Sequence, residues 1–347
     1  MEYALSDKSL TKKNAFKFLL IAIFGGIALI SIFLSCYNGT FKIPIWHLLS
    51  GNLSENEKYI FVNIRLLRAL TAIVAGGGLA LCGAIMQNVL KNPMASPFTL
   101  GISQAAAFGA SFSIIFLNPE SSSIYTGYLG AKYFSLTIIS AFISALICSA
   151  FVFFVAYIKN GEPQTVILSG IACGAFFQSM TMFIQYFTDE IKAAATLFWT
   201  FGDISKASYS SLFAITFLFI PITAYFLFSA LKLNALLWGR EIAFSLGVKA
   251  KKMAVISIFL VSALSAAITS ILGVIGFVGL IAPHLAKITV GHDNRYFIPL
   301  SIIFGSLVLN FSDILSRIIL APAIVPVGII TSMWGVIVLI YLLIKKE

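Results

Sequence analysis

The positions of the charged residues constrain this chain more than any other feature of its sequence. Nine long stretches, each of 17 residues or more, contain no Asp, Glu, Lys or Arg: 18–41, 69–90, 92–119, 133–158, 163–188, 207–231, 253–286, 296–312 and 318–344. An ionised side chain at the centre of a bilayer costs at least about 2.5 kcal/mol, whereas a run of about 20 apolar residues forms a helix that crosses it. The stretches therefore predict membrane-spanning helices.

The composition excludes a water-soluble protein. Only 10% of the 347 residues are charged and 59% are hydrophobic, whereas about 25% of the residues of a soluble protein carry a charge. The four cysteines lie in apolar runs without a Cys-x-x-Cys pair, so neither a disulfide framework nor a zinc site is indicated.

One apolar stretch, 253–286, is too long for a single crossing. It contains Gly273, Gly276, Gly279 and Pro283, which indicates two helices joined by a glycine-rich turn. The sequence thus predicts an all-α membrane protein, a polytopic bundle of about ten transmembrane helices. An even number of crossings places both termini on the same side.

The distribution of lysine and arginine predicts which side that is, because these residues are enriched in cytoplasmic loops. With both termini in the cytoplasm, 15 of the 23 Lys and Arg residues lie inside and 8 lie outside. Residues 1–17 then form a cytoplasmic tail, followed by an uncleaved first helix of a multi-pass protein of the cytoplasmic membrane. The bias also explains the net charge of +10 without a nucleic-acid partner.

Three arginines depart from this bias. Arg65, Arg68 and Arg317 fall on the predicted outer side. They could reach lipid phosphates, or Arg317 could form an i, i+4 pair with Asp313. Alternatively, they form a docking surface for acidic side chains of an external partner, since arginine binds carboxylates bidentately.

The longest predicted inner loop, residues 232–252, is amphipathic. Gly239 and Gly247 could separate two short helices within it. The loop could lie on lipid headgroups or insert into a cytosolic partner, and its spacing favours neither. On the outer side, residues 193–202 are too short to span and are predicted as a short helix at the mouth of the bundle.

Several kinds of chemistry lack a sequence signature. The chain has no phosphate-binding Gly-x-x-x-x-Gly-Lys-[Ser/Thr] motif, its three histidines are isolated, and no carboxylate lies in the middle of a predicted span. We therefore expect no catalytic residue, no bound cofactor or metal, and no ion-driven transport.

Motifs spread in order along residues 60–347 resemble those of the permeases of ABC importers for iron chelates and vitamin B12. They are Arg65-Leu-Leu-Arg68, Ala75 to Gly83, Gln87, Asn92-Pro-Met-Ala95, Leu100-Gly-Ile-Ser103, Trp199-Thr-Phe-Gly202, Gly239-Arg-Glu241, Leu246-Gly247, Gly276 to His284, Asp313 to Arg317 and Pro326 to Thr331. The resemblance implies one permease domain over residues 1–347 with the type II ABC importer architecture.

The resemblance also implies partners and roles. The partners would be a second permease copy or a paralogue, two cytoplasmic ATPase subunits that hold ATP and Mg²⁺, and an extracytoplasmic substrate-binding protein. Arg65, Arg68 and Arg317 would meet the binding protein. The coupling loop to the ATPase would comprise Gly239, Arg240, Glu241, Ala243, Leu246 and Gly247, and the pathway would include Gln87, Asn92, Pro93, Ser103 and Gln104.

The function expected from these features is import of an iron(III)–siderophore or a related iron complex. Vitamin B12 or haem is the alternative within the class. A stand-alone secondary carrier and a membrane-embedded enzyme are the alternatives from other classes. Both are disfavoured, because this chain lacks the mid-span or clustered ionisable residues that such proteins need.

Overall fold

The computed structural model describes residues 2–39, 41, 44, 54–117, 127–159 and 162–344, with backbone alone for residues 2–12, 127–134, 240, 342 and 343. All of the regular elements in these ranges are helices. They are α1 Glu2–Tyr37, α2 Glu55–Val89, α3 Ile102–Leu117, α4 Gly127–Ile158, α5 Pro163–Tyr186, α6 Glu190–Thr200, α7 Tyr209–Phe228, α8 Ala230–Leu237, α9 Arg240–Ser245, α10 Ala250–Leu272, α11 Val278–Val290, α12 Asn294–Ile318 and α13 Val327–Ile344, with a short 3₁₀ helix, Ile204–Lys206, between α6 and α7.

Ten of these helices correspond to the ten predicted spans. Seven helices are long and apolar enough to cross a membrane (α1, α2, α4, α5, α7, α10 and α12), and three shorter apolar helices (α3, α11 and α13) accompany them. The division of 253–286 is confirmed, because α10 ends at Leu272, Gly273 adopts a φ of +81° and α11 begins at Val278. The predicted fold class is therefore confirmed.

Helices α2 and α12 extend beyond the charge-free stretches that predicted them. Helix α2 begins at Glu55 and includes a π-helical segment, Ile60–Leu66, while α12 continues to Ile318. Two of the charged residues in these extensions, Arg68 and Asp313, are paired inside the protein, so they do not end the helices. Helix α1 likewise continues through residues 2–17, which the sequence assigned to a tail.

The centre of the bundle is formed by α2, α10 and α12, which are the most buried of the long helices. Glycines bring two pairs of backbones into contact. A Cβ atom on Gly76 would lie 2.4 Å from the Gly305 carbonyl oxygen of α12, and one on Gly83 would lie 1.7 Å from the Gly279 carbonyl oxygen of α11. Small residues at such crossings allow close packing of membrane helices.

The two ends of this central group carry different polar clusters. We call the end with Arg68 and Asp313 the arginine end, and the end with Asn88 and Asn294 the asparagine end. The short helix predicted at 193–202 is present as α6. The two short helices predicted around Gly239 are present as α8 and α9.

Candidate functional site

A buried ion pair joins α2 to α12 at the arginine end. Nη2 of Arg68 lies 2.6 Å from Oδ1 of Asp313, and Nη2 of Arg317, one turn beyond Asp313, lies 2.9 Å from Oδ2. Both arginines are 5% exposed and Asp313 is fully buried. One carboxylate thus compensates two guanidinium groups away from water. The i, i+4 pair considered from the sequence is confirmed.

Arg65 and Arg317 cap the end of α1. The last carbonyl groups of a helix have no partner within it, and cations are favourable there. The two guanidinium groups supply donors to this row of acceptors: Arg65 to the carbonyls of Cys36 at 3.0 Å, Tyr37 at 2.8 Å and Phe41, and Arg317 to those of Ser35 at 3.0 Å and Asn38 at 2.7 Å. The three arginines predicted to dock a partner are therefore brought together, but each is engaged within the chain.

The loop after α6 is attached to the same cluster. Oδ1 of Asp203 lies 3.7 Å from Nη2 of Arg68. Nζ of Lys206 donates to the carbonyls of Trp199 and Phe201, both at 2.9 Å, at the end of α6. Burial lowers the pKa of Lys206 to about 8, although the nearby Asp203 carboxylate opposes this shift.

A network of amide side chains connects three helices at the asparagine end. The Asn88 side chain of α2 donates to Oδ1 of Asn294 at the start of α12. Nδ2 of Asn294 donates to Oδ1 of Asn234 in α8 at 2.8 Å, and Nδ2 of Asn234 donates to Oδ1 of Asp293 at 2.9 Å. The backbone N–H of Asn294 also donates to Oδ1 of Asn234 at 2.8 Å. The network fixes α8 against the central helices.

Asp293 anchors this network electrostatically. Burial alone would raise its pKa, but hydrogen bonds from Arg295 and Asn234 lower it to about 2. Nη2 of Arg295 lies 2.7 Å from Oδ2 of Asp293. The carboxylate therefore remains ionised, and remains an acceptor for Asn234, at any physiological pH.

Residues 230–247, the α8–α9 segment, present an apolar surface beside this network. Helix α8 is anchored by Leu233, which is fully buried. In α9, Ala243 is buried while Glu241 is exposed. The exposed large apolar side chains are Leu231, Trp238, Ile242, Phe244 and Leu246. Gly239 and Gly247, on either side of α9, adopt φ values of +124° and +76°, which favour glycine.

Two of the five residues predicted along a pathway are in contact, since the backbone N–H of Asn92 donates to the Gln87 carbonyl at 3.2 Å. Asn92 and Pro93 line an open cavity of about 500 Å³ at the asparagine end. Nε2 of Gln87 donates to the Gly279 carbonyl at 3.4 Å, and Ser103 is buried. The side-chain oxygen of Gln104 is buried without a hydrogen-bond partner within the described chain.

Sequence reasoning missed the partners of the predicted residues. Asp203, Lys206, Asn234, Asp293 and Asn294 carried no motif that distinguished them from ordinary loop residues. A usable signal was the position of Asn234 and Asn294 at the edges of apolar stretches, where an amide needs a buried partner. Among the described residues, no group of three or more His, Cys, Asp or Glu side chains could hold a metal ion.

The fold defines the class of protein, a multi-pass helical membrane protein. Residues 27–345 match the FecCD transport family, and the chain therefore belongs to this family of transporter permeases. The match covers nearly all of the sequence and confirms the resemblance that the motifs indicated.

Three relatives illustrate the similarity. MJ0087 of Methanocaldococcus jannaschii, provisionally named as an ABC transporter permease, is 39% identical over 93% of this chain and 94% of its own length. The hemin transport system permease HmuU of Yersinia pestis is 32% identical, with coverages of 85% and 87%. The Fe(3+)-citrate import system permease YfmE of Bacillus subtilis is 32% identical, with coverages of 97% and 98%.

A solved structure has the same fold. It is a transporter provisionally assigned to the metal-chelate ABC type and captured in an inward-facing conformation. The similarity has a TM-score of 0.82 at 25% sequence identity and covers 94% of this chain and 99% of the other. The type II ABC importer architecture expected from the motifs is thus confirmed.

Proposed function

We propose that this chain is the transmembrane permease subunit of an ABC importer and that it translocates an iron(III)–siderophore or a related iron complex across the cytoplasmic membrane. The relatives named for hemin and Fe(3+)-citrate support an iron complex as cargo. The observation that carries the proposal is the exposure of large apolar side chains on the α8–α9 segment. Such a surface is expected where a partner protein binds. Residues 1–347 act as one permease domain.

The partner at the α8–α9 segment is an ATPase subunit. The sequence contains no phosphate-binding loop, so two such subunits would hold ATP and Mg²⁺ and supply the energy. Trp238, Phe244 and Leu246 are each more than 60% exposed on a segment rich in turns. Large apolar side chains of this kind anchor interfaces. The asparagine end and both termini face the cytoplasm in this arrangement.

The arginine end faces outward and receives the substrate-binding protein. Arg65, Arg68 and Arg317 are its docking residues in this proposal. Each is 3–5% exposed and already bonded, so acidic side chains of the binding protein would have to compete with backbone carbonyls and Asp313. Docking would then loosen the cap on α1 and the bond between α2 and α12.

The pathway lies between this chain and a second copy or a paralogue. An iron complex would pass without covalent chemistry as ATP binding switches the pair between inward- and outward-facing states. Gln87, Asn92, Pro93, Ser103 and Gln104 are the proposed pathway residues. The buried oxygen of Gln104 has no hydrogen-bond partner among the described residues, so a rearrangement that exposes it would offer the pathway a free acceptor.

Purification in mild detergent tests the class. Co-purification of an ATPase subunit, with ATP-dependent uptake of iron complex by the reconstituted assembly, supports the proposal. Uptake by the lone chain under an ion gradient would contradict it and favour a secondary carrier. Parallel assays with ferric citrate, hemin and vitamin B12 separate the cargo alternatives.

Charge substitution tests docking at the arginine end. Arg65→Gln, Arg68→Gln and Arg317→Gln should weaken capture of the binding protein, whereas Lys58→Glu, at an exposed residue of α2, serves as the control. Because the arginines are buried, thermal unfolding must first show that each variant is folded. Folded variants with unchanged affinity would remove the docking role.

Substitution in α9 tests the ATPase contact. Glu241→Lys changes an exposed side chain, so the fold should survive while ATPase binding and transport fall. Glu190→Lys, exposed on α6, is the matched control. Equal transport by the two variants would count against the contact.

A further inference from the structure

The amide network is the polar attachment between the exposed α8–α9 segment and the centre of the bundle. Asn234 lies five residues before Gly239, where α8 gives way to α9. Its side chain uses both polar atoms: Oδ1 accepts two bonds from Asn294 and Nδ2 donates to Asp293. Asn294 is fully buried. A displacement of α8 therefore either carries these partners with it or leaves buried amide groups unbonded.

The partners of Asn234 belong to a stiff pair of helices. Helices α2 and α12 are in backbone contact at Gly76 and Gly305. The Asn88–Asn294 bond joins them at one end, and the Arg68–Asp313 ion pair joins them at the other. The helix between Arg68 and Asn88 is about 30 Å long at 1.5 Å per residue. The pair is thus long enough to span the apolar core of a bilayer, and a polar contact joins its two helices at each end.

We propose that Asn234, Asp293 and Asn294 are positioning residues that carry a displacement of the α8–α9 segment to the α2–α12 pair, and so to Arg68 and Asp313 at the opposite end. The inference rests on the proposed function, because an ATPase subunit supplies the displacement. These residues would physically link the two proposed docking surfaces. Binding at one end then changes the affinity at the other by the same factor.

Directional hydrogen bonds suit this role better than apolar packing does. The apolar contacts around Leu233 are non-directional, whereas a buried amide that loses its partner costs about 1–3 kcal/mol. The network therefore resists intermediate positions and favours two discrete arrangements. Because Asp293 stays ionised, the attachment does not weaken with physiological changes in pH.

A swap of side chains tests the network without changing its shape. Asn234→Asp removes the donor to Asp293 and places two carboxylates in contact. Adding Asp293→Asn supplies a new donor at position 293, facing the new acceptor at 234, and restores the original net charge. Asn310→Leu is the control, since Asn310 is a fully buried asparagine of α12 that bonds Ser31 of α1 and not the α8–α9 segment.

The measurement is the amount of substrate taken up per ATP hydrolysed, with the complete complex and its binding protein in liposomes. The substrate is whichever of ferric citrate, hemin and vitamin B12 the wild-type complex takes up most. Asn234→Asp should lower this ratio by about fivefold or more, the usual range of coupling between sites, while ATP hydrolysis without binding protein continues. The double variant should recover most of the ratio. Asn310→Leu should keep the wild-type ratio even if less folded protein is recovered.

Three results are decisive. An unchanged ratio for Asn234→Asp overturns the inference, and so does a lowered ratio that the double variant fails to restore. If the wild-type complex takes up none of ferric citrate, hemin and vitamin B12 with ATP, the proposed function itself fails and this inference fails with it. Loss of folded protein alone would lower uptake and hydrolysis together and leave their ratio unchanged.

Discussion

Arg68 and Asp313, 245 residues apart in sequence, form a 2.6 Å ion pair that closes the arginine end of the central helix pair. Asp313 also faces Arg317 at 2.9 Å. Removing its charge would leave two buried guanidinium groups without their carboxylate. These contacts account for the arginines that defy the general charge bias, and they make Asp313 the residue on which that end depends.

The first prediction follows from this geometry. Asp313→Asn should destabilise the protein by about 3–5 kcal/mol, the usual cost of removing one partner from a buried ion pair. Thermal unfolding in detergent, compared with Glu190→Gln at an exposed site, measures the loss. Equal unfolding temperatures for the two variants would show that the ion pair does not stabilise α2 against α12.

A second prediction concerns the contact between α2 and α11. Gly83→Ala places a methyl group 1.7 Å from the Gly279 carbonyl oxygen, so the helices must separate, at about 1–3 kcal/mol or more. Gly26→Ala in α1 is the matched control, because its Cβ would meet nothing within 4 Å. We expect a lower unfolding temperature for Gly83→Ala alone, and equal values would contradict the close packing.

A third prediction concerns pH and Lys206. Burial lowers its pKa from 10.5 to about 8, so between these values the unfolded chain binds more protons and the free energy of unfolding rises with pH. The difference in unfolding temperature, wild type minus Lys206→Met, should therefore increase as the pH is raised from about 7 to about 10. A constant difference would mean that Lys206 is not buried beside Trp199.

The charge gaps predicted the helices but not how the charged residues are used. Charge-free stretches locate the apolar segments, because every segment that crosses the bilayer must itself be apolar. All ten predicted segments have matching helices. The ends of α2 and α12 were missed because Arg68 and Asp313 neutralise each other across 245 residues. Pairing of that kind depends on the tertiary fold and leaves no local pattern.

The α8–α9 segment shows the same limit. The glycines at 239 and 247 correctly predicted two short helices, because a positive φ favours glycine at the residue that adopts it. Such a preference can be read from the local sequence. The bond between Asn88 and Asn294 crosses 206 residues and could not be read from spacing. The docking of partners at either end stays a prediction, since it depends on molecules outside this chain.

The most direct test of the account is uptake of labelled ferric citrate, hemin and vitamin B12 into liposomes that contain this permease, its ATPase subunits and its binding protein. We predict uptake of an iron complex that requires ATP and stops when the ATPase subunits or the binding protein are omitted. Uptake by the permease alone, driven by an ion gradient and indifferent to ATP, would contradict the central claim.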